Sequence, residues 1–251
     1  MNDRQHIELF HLLFLDRLGR KLDKARYALK GGCNLRFFLK SIRYSEDMDL
    51  DVRTEPPHGL RDKVNGILDG EPFRQTLLAR GLEIEHVTEA KQTDTVQRWK
   101  LGLRAATSER TLPTKIEFSR RALDPHVHFE SIDPEIIREY RLAPILANHY
   151  DANTAARQKL EALCSRRVPQ ARDVFDLHLL RAAGADLAGA ARELAAPCED
   201  LRSRVLDVTY AVFAGQVLAY LPPDSQAQYA DPEIWDRMVL AVADALGEQH
   251  A

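Results

Sequence analysis

The sequence has 251 residues, of which 45% are hydrophobic and 29% charged, and its formal net charge is −3. This composition is typical of a globular protein with a sizeable core, and it excludes a disordered chain and one that binds nucleic acid through overall positive charge. No run approaches the ~20 apolar residues of a membrane span, and the charged start does not resemble a secretory signal. Cys33, Cys164 and Cys198 lack paired metal-ligand spacing, which predicts reduced thiols and a cytoplasmic location.

The first part of the chain predicts an α+β domain in which a small mixed sheet is covered by helices. Apolar residues at helical spacing indicate a long amphipathic helix near the start, and later period-two alternation indicates strands. Pro56 and Pro57 end the acidic strand, and Gly102 is expected to mark a bulge. The predicted elements are helices at about 6–22, 34–40 and 60–80 (interrupted near Gly70) and strands at about 27–29, 47–53, 82–88, 95–105 and 114–119.

After residue 149 the pattern changes to helices alone. The expected helices are 153–165, 172–183, 187–195, 200–218 and 232–246, separated by Pro169, Gly184, Pro197 and the segment 221–224. We therefore predict two domains, an α+β domain over residues 1–148 and a helical domain over residues 149–251.

Positive charge is concentrated in one segment of the mildly acidic chain. Between residues 98 and 121, seven basic residues stand against Glu109 and Glu117. A local basic surface is one interpretation, and ordinary solvated strand faces are the other. The basic residues are Arg98, Lys100, Arg104, Arg110, Lys115, Arg120 and Arg121.

Two neighbouring stretches carry residues suited to phosphate and metal chemistry. Carboxylates at positions 47, 49 and 51 alternate with apolar residues, which predicts a strand with one acidic face. Same-face neighbours on a strand lie roughly 6.5–7 Å apart, so these charges favour a cation between them, usually Mg²⁺ with nucleotide phosphates. Just upstream, Gly31 and Gly32 would let backbone N–H groups approach phosphate oxygens at a helix N-terminus.

These stretches and a later motif together resemble the AbiEii/AbiGii toxin family, which includes the MenT-type toxins and has a polymerase-β-like nucleotidyltransferase fold. The ordered set is Lys30-Gly31-Gly32-x-x-Leu35-Arg36, Ser45-Glu46-Asp47-x-Asp49-Leu50 and Arg172-Asp173-x-x-Asp176-Leu177. The resemblance covers roughly residues 8–220. It implies a mixed sheet with helices, followed by an all-helical C-terminal portion that contributes to the active site.

The resemblance also implies an activity and partners. The expected protein is the toxin of a toxin–antitoxin pair, with a cognate antitoxin. It would transfer a nucleotide from an NTP to the 3′ end of tRNA in a Mg²⁺-dependent reaction that releases pyrophosphate and blocks translation.

For the metal site, the resemblance implies Asp47 and Asp49 as Mg²⁺ ligands, with a third carboxylate from a neighbouring strand. Glu117 suits that role because Ile116 and Phe118 alternate with it, although it is equally consistent with a strand surface residue. Asp51 is expected to lie beyond the metal, in solvent.

For the nucleotide, the glycine pair would bind the triphosphate. The resemblance places Ser45 near the phosphates, and the alternative is an ordinary turn serine. Arg36 could reach a phosphate or pair with Asp47 or Asp49. Cys33 departs from the Ser or Thr common at this position, and because a thiol is a weak donor we expect altered nucleotide affinity rather than lost function.

In the helical part, Lys159 falls within an apolar stripe, where a lysine either meets an anion or extends its ammonium from the edge of the core. Asp173 and Asp176 form an inward row that needs basic partners, with Lys159, Arg166 and Arg172 as candidates. Asp173 could instead cap its helix, whereas Asp176 lies too far inside the helix to do so. The resemblance implies that Lys159 and an aspartate of this motif are catalytic.

Other functions remain open from the sequence. A small-molecule or protein acceptor would predict an acidic pocket, whereas tRNA predicts that the 98–121 segment faces the site. A non-catalytic nucleotide-binding regulatory module has only Cys33 in its favour. His126, His128 and Glu130 lack a suitable fourth ligand for zinc.

Overall fold

The computed structural model describes residues 1–194 and 200–247. The chain divides into two compact units. One, here called the sheet unit, comprises Met1–Phe38 and Tyr44–Tyr150; the other, the helical unit, comprises Leu39–Arg43 and Asp151–Ala251. The short segment 39–43 therefore belongs to the helical unit, although its sequence neighbours on both sides belong to the sheet unit.

The sheet unit is built on one seven-stranded mixed sheet in the order β3-β4-β5-β2-β1-β7-β6. The pairs β1–β7 and β2–β5 are parallel, and the other neighbouring strands are antiparallel. This confirms the predicted α+β fold. The elements are α1 Asp3–Lys21, β1 Tyr27–Lys30, α2 Gly31–Phe38, β2 Asp47–Val52, α3 Pro57–Leu68, α4 Glu71–Leu78, β3 Leu82–Gln92, β4 Val96–Ala105, β5 Leu112–Arg120, β6 Val127–Ser131, α5 Pro134–Glu139 and β7 Leu146–Tyr150.

Helix α1 forms the centre of the core. Asn2 and Gln5 close a capping box at its start, and the apolar residues along it are almost completely buried. Met48, Leu50 and Val52 of β2 belong to the same core. Because side chains alternate along a strand, the acidic residues of β2 occupy the opposite face of the sheet.

Local features of the sheet differ from the prediction. Strand β7 and helix α5 were not predicted. The irregularity expected at Gly102 is present, but the extra residue lies on β3, between Ile84 and His86, rather than on β4. Gly102 lies opposite His86, where a Cβ would overlap the His86 ring. The glycine therefore serves close packing across the strands.

The helical unit contains α6 Ala152–Ser165, α7 Ala171–Ala182, α8 Leu187–Arg192, α9 Leu201–Leu206, α10 Tyr210–Gln216, α11 Pro223–Tyr229 and α12 Pro232–Gly247. The predicted continuous helix over 200–218 is wrong, because the chain breaks between α9 and α10. At this break the Trp235 indole N–H donates to the Val208 carbonyl at 2.8 Å, a distant contact that local sequence does not reveal. Helix α11 was not predicted, and Ala195 and Pro197 lie outside the described residues.

The cysteines only partly follow the prediction. Cys33 is a buried free thiol, whereas Cys164 is disulfide-bonded, so the expectation of reduced thiols is wrong for Cys164. Cys198 lies outside the described residues. Among residues 1–194 and 200–247, no helix combines the length and the apolar character needed to cross a membrane. The cytoplasmic location stays a prediction.

Candidate active site

Three carboxylates converge on one ammonium group at the acidic face of the sheet. The parallel register of β2 and β5 places Asp47 opposite Lys115 and Asp49 opposite Glu117. Lys115 Nζ lies 3.2 Å from Asp47 Oδ2, 3.7 Å from Asp49 Oδ1 and 3.9 Å from Glu117 Oε2. We call Asp47, Asp49 and Glu117 the carboxylate cluster. Glu117 thus lies on the neighbouring strand within this cluster, and its role as a metal ligand stays a prediction.

Negative charge exceeds positive charge in this cluster. Arg98 of β4 lies opposite Glu117 and its Nε is 2.5 Å from Glu117 Oε2, so two cations face three acids. Burial raises the pKa of Asp47 above its usual value of 3.8, although Lys115 opposes the shift. Burial alone would lower the pKa of Lys115, but the three carboxylates reverse this effect and raise it. Both shifts reflect acids held together in a partly desolvated place.

The glycine turn lies beside the same carboxylates. Gly31 is the first residue of α2 and has φ of +65°, a left-handed conformation that favours glycine. A Cβ added there would lie 3.1 Å from Asp49 Oδ2. Gly31 therefore brings the start of α2, with its unpaired N–H groups, close to Asp49, while Gly32 follows it in the first turn.

Behind the cluster, the side chains of Cys33 and Ser45 hold the start of β2. The thiol of Cys33 and the hydroxyl of Ser45 both donate to the Asp47 carbonyl, at 3.2 and 2.8 Å. Burial raises the pKa of Cys33 well above its usual value. Burial also lowers the pKa of His11 to about 3, and His11 Nδ1 lies 3.6 Å from the Cys33 sulfur. Cys33 and Ser45 thus have partners within the protein, and their contact with a nucleotide stays a prediction.

Arg36 pairs with Glu8 rather than with the strand aspartates. Its guanidinium donates to both Glu8 oxygens, at 2.7 and 3.2 Å, and Tyr140 donates to the same carboxylate at 2.7 Å. The prediction that Arg36 could pair with Asp47 or Asp49 is therefore wrong. This network anchors α2 to α1, and a phosphate contact for Arg36 stays a prediction.

Asp51 is buried, so the expectation that it lies in solvent is wrong. Its carboxylate accepts from Lys30 Nζ at 2.5 Å and from the Tyr150 hydroxyl at 2.9 Å, and it lies 3.0 Å from Arg121 Nε. The unpredicted strand β7 supplies Tyr150, which explains the difference.

The helical unit contains a second cluster of charges. Asp176 accepts two hydrogen bonds from Arg43, at 2.8 and 3.0 Å, and lies 2.6 Å from Lys159 Nζ. Asp173 pairs with Arg166 and lies 3.6 Å from Lys159 Nζ. We call these five residues the buried ion cluster. The pairing predicted for Lys159 is confirmed, whereas Asp173 makes no capping bond, because its carboxylate turns towards these cations.

Burial and neighbouring charges set the protonation of this cluster. Burial alone would raise the pKa of Asp176, but Arg43 and Lys159 outweigh it and hold the pKa below 3.8. Burial lowers the pKa of Lys159, and Asp176 only partly offsets this. Sequence reasoning missed the pairing of Arg43 with Asp176, because it joins residues far apart in the chain.

Most of the basic residues between 98 and 121 are paired. Besides Arg98 and Lys115, Arg104 pairs with Glu85, Arg110 with Asp3, and Arg121 with Asp51. Arg120 donates to the Glu55 carbonyl and the Gln97 side chain. The segment is thus a set of local ion pairs and hydrogen bonds rather than an unpaired basic surface.

The carboxylate cluster suits a hard divalent cation by its donor chemistry, since Mg²⁺ prefers carboxylate oxygens. In the arrangement described, however, no three His, Cys, Asp or Glu side chains of residues 1–194 and 200–247 could hold a metal ion. An ammonium group stands between the acids instead. Sequence reasoning missed Lys115, although its place two residues before Glu117 on the same strand face was a signal.

The mixed sheet, the glycine turn and the paired strand aspartates together define a nucleotidyltransferase-like protein. The profile of the AbiEii nucleotidyl transferase toxins of type IV toxin–antitoxin systems matches residues 13–233. The chain therefore belongs to this family and is a nucleotidyltransferase of the toxin–antitoxin type.

Solved structures agree with this fold. MenT4, a nucleotidyltransferase toxin from Mycobacterium tuberculosis H37Rv, matches with a TM-score of 0.63 and 21% identity, over 99% of this chain and 85% of that one. JHP933 from Helicobacter pylori matches with a TM-score of 0.60 and 19% identity, over 98% of this chain and 94% of that one. No curated protein sequence matches the chain.

Proposed function

We propose that this protein transfers a nucleotide from an NTP to the 3′ end of tRNA in a Mg²⁺-dependent reaction, and thereby blocks translation. The observation that carries the proposal is the convergence of Asp47, Asp49 and Glu117 on one cation beside Gly31. Three acids beside a helix N-terminus suit a metal-bound triphosphate, because the acids would hold the cation and the backbone N–H groups would donate hydrogen bonds to the phosphate oxygens.

Each residue then has a defined task. Asp47 and Asp49, with Glu117, would hold Mg²⁺, which when bound offsets the triphosphate charge and polarises the α-phosphate. Backbone N–H groups of Gly31 and Gly32 bind phosphate oxygens. The acceptor hydroxyl oxygen forms a bond to the α-phosphorus and its proton passes to solvent water, while the bond to the bridging oxygen breaks and pyrophosphate leaves with that electron pair.

Family membership, rather than geometry, assigns Lys159 and Asp176 a catalytic part in this proposal. In that part Lys159 would offset the charge of the nucleotide, and Asp176, 2.6 Å from its ammonium and held by Arg43, would orient it. Because burial lowers the pKa of Lys159, this lysine gives up a proton more readily than a surface lysine. Asp173 restrains the same ammonium from a greater distance.

The tRNA acceptor rests on membership of the toxin family, and the charges of the 98–121 segment do not add to it. Because that segment is mostly paired, a small-molecule acceptor is the second candidate. The partly exposed, net negative carboxylate cluster favours a cationic acceptor of this kind.

The test combines purified protein, Mg²⁺, each α-³²P-labelled NTP in turn and bulk tRNA. Asp47→Ala removes a carboxylate of the cluster. Asp62→Ala is the matched control, because Asp62 is an exposed acid on α3 outside the cluster. Label should enter tRNA with the wild type and with Asp62→Ala, and chelation of Mg²⁺ should abolish it.

Two results would contradict the proposal in different ways. Transfer of label to a small cationic acceptor but not to tRNA would replace the acceptor and keep the chemistry. Transfer by Asp47→Ala at the wild-type rate would exclude the carboxylate cluster as the active site.

A further inference from the structure

The Lys115 ammonium contacts all three acids of the carboxylate cluster, and the proposed reaction gives it no role. Its side chain is 24% exposed, and its Nζ lies within 3.9 Å of Asp47, Asp49 and Glu117. A lysine ammonium is a compact charge on a flexible stem, so it can stand where a metal ion would and can also move away.

Charge balance shows why Lys115 and a divalent cation compete. Three acids face Lys115 and Arg98, which leaves one net negative charge. A divalent ion added to this arrangement would make the cluster net positive and would place the ion against the ammonium. Like charges at such short range repel strongly in a partly buried site.

A metal–NTP complex removes this conflict. The triphosphate brings negative charge and acceptor oxygens, which the displaced ammonium can bind through charge-assisted hydrogen bonds. The backbone of β5 stays fixed by β2 and β4 on either side, so only the lysine stem has to move. Metal and nucleotide would then bind cooperatively, each making the other's entry easier.

We propose that Lys115 is an internal counter-ion that competes with a free divalent cation for the carboxylate cluster and moves to the triphosphate when metal and NTP bind together. The inference rests on the proposed function of this site. It makes Lys115 a binding residue for the substrate complex and a barrier to the metal alone.

Lys100 provides a matched control. It lies directly opposite Lys115 on β4, carries the same charge and is exposed. Among the ion pairs of the described part of the chain, those near the cluster involve Lys115 and Arg98 but not Lys100. A general effect of removing positive charge from this sheet face would therefore appear in both variants.

The experiment is calorimetric titration of Mg²⁺ into wild type, Lys115→Met, Lys115→Gln and Lys100→Met without nucleotide. A second titration uses an α,β-methylene NTP analogue, which cannot be transferred, in excess Mg²⁺. Loss of the Lys115 charge should tighten Mg²⁺ binding roughly tenfold or more and weaken binding of the Mg²⁺–analogue complex several-fold. Lys100→Met should change neither the dissociation constant of Mg²⁺ nor that of the Mg²⁺–analogue complex.

The opposite signs of the two effects separate this role from a structural one. A loss of folding would weaken the binding of both Mg²⁺ and the Mg²⁺–analogue complex. Lys115→Gln keeps a polar side chain in case Lys115→Met does not fold. Unchanged or weaker Mg²⁺ binding by a folded neutral variant would overturn the inference. If the binding pattern holds but the wild type transfers no label, the proposed reaction fails while the counter-ion role stands.

Discussion

The carboxylate cluster of the sheet unit and the buried ion cluster of the helical unit use the same residue types in different balance. In the first, Asp47 and Asp49 retain 37% and 29% side-chain exposure, and acids outnumber cations. In the second, Asp173 and Asp176 are almost completely buried and face three cations. Cations thus outnumber acids where the carboxylates are buried, and acids outnumber cations where water has access to them.

This difference separates two uses of charge. A buried cluster of paired charges stabilises the fold only as a whole, because removing one member leaves its partners unpaired in a low-dielectric interior. A partly exposed cluster with an excess of acids contributes little stability and retains affinity for a cation. We therefore expect variants of the two clusters to differ most in stability.

The largest expected effect on stability is that of Asp176→Asn. Lys159 and Arg43 would lose a carboxylate that both contact, which costs about 3–5 kcal/mol when a buried pair is broken. Asp244→Asn is the control in the same unit, because its pair with Arg202 is exposed and contributes about 0–1 kcal/mol. Urea denaturation measures both free energies of unfolding, and equal losses would contradict the distinction between buried and exposed charges.

A smaller effect is expected from Gly31→Ala, which disturbs the carboxylate cluster through the backbone. The left-handed φ and the close approach of a Cβ to Asp49 should cost about 1–2 kcal/mol and displace that carboxylate. Gly215→Ala is the control, since a Cβ there meets nothing within 4 Å in helix α10. A folded Gly31→Ala protein with wild-type nucleotide affinity would exclude the turn from the site.

The pH dependence of the two clusters should have opposite signs. The folded pKa of Asp176 is lowered below 3.8, because Arg43 and Lys159 outweigh burial, so its contribution is present above pH 3.8 and is lost as the pH falls through the folded pKa. The folded pKa of Asp47 is raised, chiefly by burial, so its contribution is present below pH 3.8 and is lost as the pH rises through the raised value.

Urea denaturation at a series of pH values measures these contributions. At each pH, the free energy of unfolding of Asp176→Asn or Asp47→Asn is subtracted from that of the wild type. The difference due to Asp47 should grow on acidification, and that due to Asp176 should shrink below pH 3.8. If both contributions grow on acidification, or both shrink, the two clusters do not differ in the pH dependence of their stability.

Local pattern predicted more of the sheet unit than of the helical unit. The alternation in β2 and β5 identified Asp47, Asp49 and Glu117, because a strand fixes which residues share a face. The break between α9 and α10 was missed, and the contact found there, from the Trp235 indole to the Val208 carbonyl, joins residues that are distant in sequence. Lys115 was overlooked because it was counted with a basic segment, although its partners lie on the neighbouring strand.

The smallest expected effect is that of Cys33→Ser. The serine hydroxyl can donate to the same Asp47 carbonyl that the buried thiol contacts at 3.2 Å, so we expect a change within about 1 kcal/mol. Cys33→Val, which lacks a donor, is the comparison variant. A loss of nucleotide binding in Cys33→Ser without a loss of stability would instead indicate that the side chain contacts the nucleotide directly.

The central claim is that the acids of the partly exposed carboxylate cluster perform chemistry rather than stabilise the fold. Its most direct test is a paired measurement of nucleotide transfer and urea stability for Asp49→Asn. The account predicts at least about a hundredfold loss of transfer with stability equal to or above that of wild type. Retained transfer, or a loss of stability as large as that of Asp176→Asn, would contradict it.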